Sequence, residues 1–153
     1  MVEVMEKILI SACLIGDKTK YDGKSNYNPL IKELLDYYEL VPMCPEMEGG
    51  LKSPRDPCEI ISGKVLTQKG RDCTHQYEEG AEKVYNVCLY LGIRTAILKD
   101  KSPSCGSTTI YDGTFSHKEI KGLGITAQYL KERGIRIIPD TDIEKFLEET
   151  KQK

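Results

Sequence analysis

Four short apolar runs recur along the chain with helix-patterned stretches between them, and this alternation constrains the fold more than any other feature. The runs are residues 7–13 (KILISAC), 40–43, 94–99 (RTAILK) and 135–138. Each has strand length, the first ending in small residues and the second stopped by Pro45, as short buried strands do. Between them, Asn28-Pro29 predicts a helix start, with Asn28 as N-cap and an apolar stripe of Leu30, Ile31, Leu34, Leu35 and Tyr38. Thr74 is expected to cap a second helix with Tyr77, Ala81, Val84, Tyr85, Cys88 and Leu91 on its buried face and Gly92 at its end. Residues 126–133 read as a third helix, and Asp140 as the cap of an exposed fourth. Ile60–Ile61 and Val65–Leu66 suggest a small hairpin, and residues 100–121 read as a long loop. Strands alternating with helices predict an α/β fold: a single Rossmann-like domain over residues 1–153, three-layered, with a mostly parallel sheet joined by right-handed crossovers.

A chain of 153 residues buries enough core to fold without disulfides. Its net charge of -2 argues against bulk nucleic-acid binding, which needs a basic excess. No apolar run reaches membrane-span length. Ile10-Ser11-Ala12-Cys13 looks like a lipoprotein cleavage box, but Glu3 and Glu6 stand before it against only Lys7, and its apolar stretch is short. The expected location is therefore the cytoplasm, and the expected partner a small molecule.

Six cysteines in a reducing compartment point to a metal or to catalysis, and no CxxC pair is present to suggest a zinc ribbon or a thioredoxin. Ligands of open parallel sheets bind beyond the carboxyl ends of the strands. Cys13 closes the first run, Cys44 closes the second, and Cys105 follows the third in Ser102-Pro103-Ser104-Cys105-Gly106. Three thiolates brought to one edge suit a soft metal. Cys88 lies on a helix stripe and is expected in the core. Cys58 and Cys73 lie in and after a loop-rich segment, with little expected direct role. Glu46, two residues past Cys44, is a candidate proton carrier whose bland alternative is a salt bridge or cap. Ser102 is a candidate whose bland alternative is turn chemistry before Pro103.

Other signals carry less. Gly122-Leu123-Gly124-Ile125-Thr126-Ala127 fits G-x-G-x-x-A but follows no apolar strand, so it reads as a helix-entry turn rather than a dinucleotide fingerprint. His75 and His117 are expected at the surface. Arg55 and Arg71 suit either a substrate anion or salt bridges, and Lys99 and Lys101 suit either the charge of a cluster or solvent. Tyr111-Asp112-Gly113 reads as a tight turn.

The segments Ser11 to Gly16, Tyr21-Asp22-Gly23, Val41 to Glu46 with Gly49-Gly50-Leu51, Pro54-Arg55, Lys99 to Gly106 and Ile110 to Phe115 resemble one family. It was long filed as a domain of unknown function and is typified by thiouracil desulfidase. The resemblance runs from about Lys7 to Ile138. It implies a [4Fe–4S] cluster on three cysteines, mapping onto Cys13, Cys44 and Cys105, with one iron open to the substrate sulfur. It implies hydrolysis of 2-thiouracil to uracil and sulfide without net redox change. The family's catalytic carboxylate and serine map onto Glu46 and Ser102, with Ser104 the runner-up. Three other readings stay open at this point: a cluster-carrying sensor or accessory protein without turnover, a zinc protein on the same thiolates, and an enzyme of thiolated tRNA nucleotides.

Overall fold

The computed structural model describes residues 5–153. Four parallel strands form the central sheet: β1 (Glu6–Ser11), β2 (Tyr38–Met43), β5 (Thr95–Leu98) and β8 (Arg136–Pro139), in the order β2-β1-β5-β8. Two antiparallel hairpins stand apart from it, β3 (Cys58–Ile61) with β4 (Lys64–Thr67) and β6 (Thr109–Tyr111) with β7 (Glu119–Lys121). The helices are α1 (Ile31–Leu34), α2 (Pro45–Glu48), α3 (Thr74–Leu91), α4 (Ile125–Glu132) and α5 (Ile143–Lys151).

Period-two alternation explains the layers. Ile8, Ile10 and Ile97 point to one face and pack with Ile31, Leu34, Ile143, Phe146 and Leu147 of α1 and α5. Leu9, Ala96 and Leu98 point to the other and pack with Val84 and Cys88 of α3 and Ala127 and Leu130 of α4. The sheet is covered on both sides, as the apolar runs require. Pro42 is tolerated because β2 lies at the sheet edge. The three-layer α/β expectation is met.

Several local expectations need correction. The N-cap of α1 is Leu30, not Asn28, which instead accepts the Leu30 N–H at 2.9 Å in the turn before the helix. That helix ends at Leu34, Leu35 is exposed, and Tyr38 opens β2, so the 30–38 stripe is shared by a helical turn and a strand. The α3 N-cap is Cys73, not Thr74, whose hydroxyl instead accepts the Val65 N–H at 2.9 Å and ties α3 to the β3–β4 hairpin. Residues 100–121 are not all loop, since β6 and β7 lie within them. Asp140 caps no helix. It accepts the Asp100 N–H at 2.8 Å and pairs with Lys99 at 3.6 Å, and α5 buries Ile143, Phe146 and Leu147 rather than lying exposed.

Candidate functional site

Parallel pairing of β2, β1 and β5 puts their carboxyl ends side by side, and β1–β5 is where successive strands switch to the other side of β1. A cavity of about 580 Å³ opens there. Cys13, Cys44 and Cys105 all line it, with Glu46 and Ser102. Cys13 lies in a short 3-10 turn (Ala12–Ile15) just past β1, not in the strand itself. Cys44 is the residue before α2, and Pro45 takes the first helical position. Cys105 sits in the loop after β5. The lipoprotein-like box is folded into the protein, for Ile10 is fully buried in the central strand.

The Cys105 loop is fastened from two sides. Asp100 accepts backbone N–H groups from Lys101, Ser107, Thr108 and Thr109 at 2.9–3.2 Å and the Thr108 hydroxyl. The amides of α4's first turn donate to loop carbonyls: Ile125 to Pro103, Thr126 and Ala127 to Ser104. Gly124 lets this happen, because a Cβ there would stand 2.5 Å from the Ser104 carbonyl oxygen. The G-x-G-x-x-A stretch is thus a helix entry, as expected, and its amides serve the loop rather than the cavity. Ser104 is fully buried against Thr126 at 2.8 Å, which removes it as the alternative serine.

Burial would raise the Asp100 carboxyl, but the hydrogen bonds from Thr108 and the neighbouring amides outweigh it and hold the group below its ordinary value. A depressed folded value contributes stability above the unfolded carboxyl range, and that stability is lost as pH falls through the folded value. Asp100→Ala is expected to cost about 3 kcal/mol at pH 7, since it strands buried amides. In denaturant titrations the gap to the wild type should hold from pH 7 to about 5 and narrow progressively below about pH 4. A gap independent of pH would show that the carboxylate charge is not what holds the loop.

Glu46 is held in the cavity by three side chains. Its Oε2 accepts the Tyr77 hydroxyl at 2.7 Å and pairs with the Arg55 guanidinium at 3.0 Å. Among the described residues its Oε1 meets only the Ser102 hydroxyl, at 3.5 Å. Ser102 Oγ already accepts the N–H groups of Ser104 and Cys105, each at 3.0 Å, so its proton is the one aimed at Glu46. Both bland expectations are therefore present in fact: Glu46 forms a salt bridge and Ser102 forms a turn. The same contacts leave Oε1 as the oxygen free to exchange a proton, since 3.5 Å is long for an O–H···O bond.

Tyr77 and Arg55 are the site groups that sequence reasoning undervalued. Tyr77 stands on the α3 stripe as expected, 1% exposed, but its hydroxyl reaches the cavity. Burial, then Glu46, pushes its ionisation far up, so the phenol stays protonated and donates to Glu46. Burial works against the Arg55 charge, but Glu46 and Cys44 outweigh it. Arg71 is exposed and faces no site group, and Lys99 and Lys101 line the cavity while pairing with Asp140 and Glu119. Both histidines are exposed, though His117 stands at the cavity rim, edge-on to Tyr111 at 5.9 Å. Cys88 is in the core, and burial pushes its thiol up to about 11. Cys58 lines the cavity, whereas Cys73 packs behind it with Val65 and Tyr77. Burial, then Cys73, pushes the Cys58 thiol up to about 12.

Cys13, Cys44 and Cys105 are free thiols, as is Cys58 in the same cavity. Burial raises the first three. The Glu46 carboxylate adds to the rise at all three, and the neighbouring thiols add to it at Cys13 and Cys105. Opposing this are the Asn26 amide, donating to Cys13 Sγ at 3.4 Å, the Ser11 hydroxyl beside Cys105, and the Met47 and Glu46 amides beside Cys44. Crowded thiols of this kind become thiolates only against a cationic centre. Among the described residues, no three His, Cys, Asp or Glu side chains gather closely enough for a single metal ion.

The parallel α/β sheet thus brings three soft sulfur donors and a braced carboxylate into one cavity at its switch point. The sequence profile of the 2-thiouracil desulfurase family matches residues 8–142, and the chain belongs to that family. It is 41% identical to the uncharacterised protein YbbK of Bacillus subtilis (strain 168), over 92% of this chain and 99% of that one. Among solved structures, a [4Fe-4S]-dependent thiouracil desulfidase, TudS, matches with a TM-score of 0.85 at 38% identity, covering 92% of this chain and 94% of that one.

Proposed function

We propose that this chain carries a [4Fe–4S] cluster on Cys13, Cys44 and Cys105, with one iron open, and hydrolyses a thiolated pyrimidine such as 2-thiouracil to uracil and sulfide. The observation that carries the reading is the meeting of these three thiols with the Oε1 edge of Glu46 in one cavity. When bound, the cluster supplies a soft Lewis acid for a thiocarbonyl sulfur. Glu46 Oε1 takes a proton from a water that attacks the thiocarbonyl carbon. The water oxygen adds to that carbon as the C=S π pair moves onto sulfur. The remaining O–H proton is then lost as the C=O bond forms, the C–S bond breaks with its electron pair on sulfur, and the two protons of the water, carried by Glu46 directly or through Ser102, leave with the sulfur as hydrogen sulfide. No electron is gained or lost. Tyr77 and Arg55 hold Oε2, so the carboxylate cannot swing away as its charge changes.

Anaerobic reconstitution is the test. The wild type should take up about four irons with the brown absorbance of an iron–sulfur protein and release sulfide from 2-thiouracil. Cys13→Ala, Cys44→Ala and Cys105→Ala should each lose cluster and turnover, whereas Cys88→Ala should keep both. Equal iron uptake by all four variants would overturn the ligand assignment. A stably loaded wild type that leaves 2-thiouracil intact would overturn the reaction and favour the accessory-protein reading.

A further inference from the structure

The cavity has a wall that the steps above do not use. Phe115, in the turn between β6 and β7, lines it beside Tyr111 and His117. Phe115 holds a φ of 57°. A bulky residue rarely adopts this left-handed conformation, and it persists only where surrounding contacts enforce it.

Those contacts centre on Glu59 of β3, which is buried at 8% exposure. Its Oε1 accepts the N–H groups of Gly113 at 2.9 Å and Phe115 at 3.1 Å. Both recorded bonds of this carboxylate go to one turn. Gly113, at φ 92°, presses the turn onto β3, since a Cβ there would stand 3.0 Å from the Ile60 carbonyl oxygen. Asp112 closes the turn by accepting the Thr114 N–H at 3.0 Å. A buried carboxylate is a costly tether for a surface hairpin. Here it fixes the backbone that carries one aromatic side chain to the cavity wall. The other phenylalanine, Phe146, is core and stacks on Tyr38 at 5.4 Å.

We propose that Phe115 is the face on which the substrate's aromatic ring stacks, and that Glu59 is the positioning residue that holds it there. The inference rests on the desulfurase reading and sharpens its substrate class: a flat, unsaturated heterocycle is taken, and a saturated ring bearing the same thiocarbonyl is disfavoured. Stacking of a base on an aromatic side chain supports about a tenfold preference.

Steady-state kinetics of the loaded protein test this with 2-thiouracil and its 5,6-dihydro form. Phe115→Leu should raise KM for 2-thiouracil roughly tenfold and move kcat far less. It should narrow the discrimination against the dihydro form. Glu59→Ala should reproduce the KM effect, Glu59→Gln should rescue it because its amide oxygen still accepts both N–H groups, and Glu59→Ala added to Phe115→Leu should do little more. An unchanged KM in Phe115→Leu with normal turnover would sink the stack and leave the desulfurase reading standing. Phe115→Trp would be the only tryptophan of the chain and gives a binding signal that needs no turnover. Quenching by 2-thiouracil well below the concentration needed of the dihydro form sustains the stack even where nothing is hydrolysed. Equal quenching by both, or none, overturns it.

Discussion

Glu46→Gln should abolish proton transfer while keeping the cluster. The expected fall in kcat is about 10²- to 10⁴-fold, the range for loss of a general acid–base group. The substitution is nearly isosteric, and the glutamine oxygen can still accept from Tyr77. What it lacks is the ability to take a proton from water through Oε1, the oxygen that among the described residues meets only Ser102, at 3.5 Å. It also leaves Arg55 buried beside no anion, a cost of about 3 kcal/mol by the usual penalty for breaking such a pair. Both quantities must be read. If Glu46 is only the partner of Arg55, the variant melts earlier but turns over 2-thiouracil at near the wild-type rate once loaded. If Glu46 is the proton carrier, iron content and visible absorbance stay near wild type at a temperature well below the melt while sulfide release collapses. Loss of turnover together with loss of iron would mean that the carboxylate supports the thiol cage rather than the chemistry.

The parts of this site written in the sequence are those carried by backbone periodicity. Ile8 to Ile10 and Ala96 to Leu98 are apolar at every position because both faces of those strands are covered, and such runs have few alternatives to an interior parallel strand. Once the strands are parallel, Cys13, Cys44 and Cys105 must share an edge, and that reasoning needs no side-chain geometry. It fails where one pattern serves two structures. Leu30, Ile31, Leu34 and Tyr38 keep helical spacing although α1 stops at Leu34, because a short turn and the start of β2 both face the same core. It fails again at β6 and β7, where β7 is exposed throughout and three-residue strands carry no alternation to read.

Side-chain partners were the least legible. The α3 stripe shows that Tyr77 is buried but not that its hydroxyl emerges at Glu46, since a leucine would satisfy the same stripe. Arg55 and Glu46 are nine positions apart across an irregular segment, so no periodicity links them. Asp100 ends a strand like many loop acids, and nothing local tells that four amides converge on it. These contacts depend on how loops close over the sheet, a tertiary outcome rather than a local preference. One loop clue was available: Pro42-Met43-Cys44-Pro45-Glu46 places a proline at N1 of a helix, which turns Glu46 back toward the cysteine before it.

That short helix depends on a contact which a single methyl should break. α2 crosses α3 with backbone against backbone: a Cβ on Gly80 would lie 1.9 Å from the Pro45 carbonyl oxygen, and one on Gly49 would lie 1.8 Å from that of Gln76. The obstructing atoms are main-chain oxygens, so no rotamer change relieves them. Gly80→Ala must push α2 off α3, and Cys44 and Glu46 travel with Pro45. Overpacking of this kind costs about 3 kcal/mol, of which alanine's better helix propensity returns about 1. The net loss of about 2 kcal/mol should lower the melting temperature by roughly 6 °C in a chain of this size. Glu78→Ala, at an exposed position of the same helix, should stay within about 0.5 kcal/mol of the wild type. Displacement of α2 also predicts reduced iron uptake in Gly80→Ala at temperatures where the protein is still folded, because one of three thiols has moved relative to the other two. A Gly80→Ala protein more stable than wild type would show that helix propensity decides this position, and would remove the backbone crossing as the element that sets Cys44 and Glu46 at the cavity.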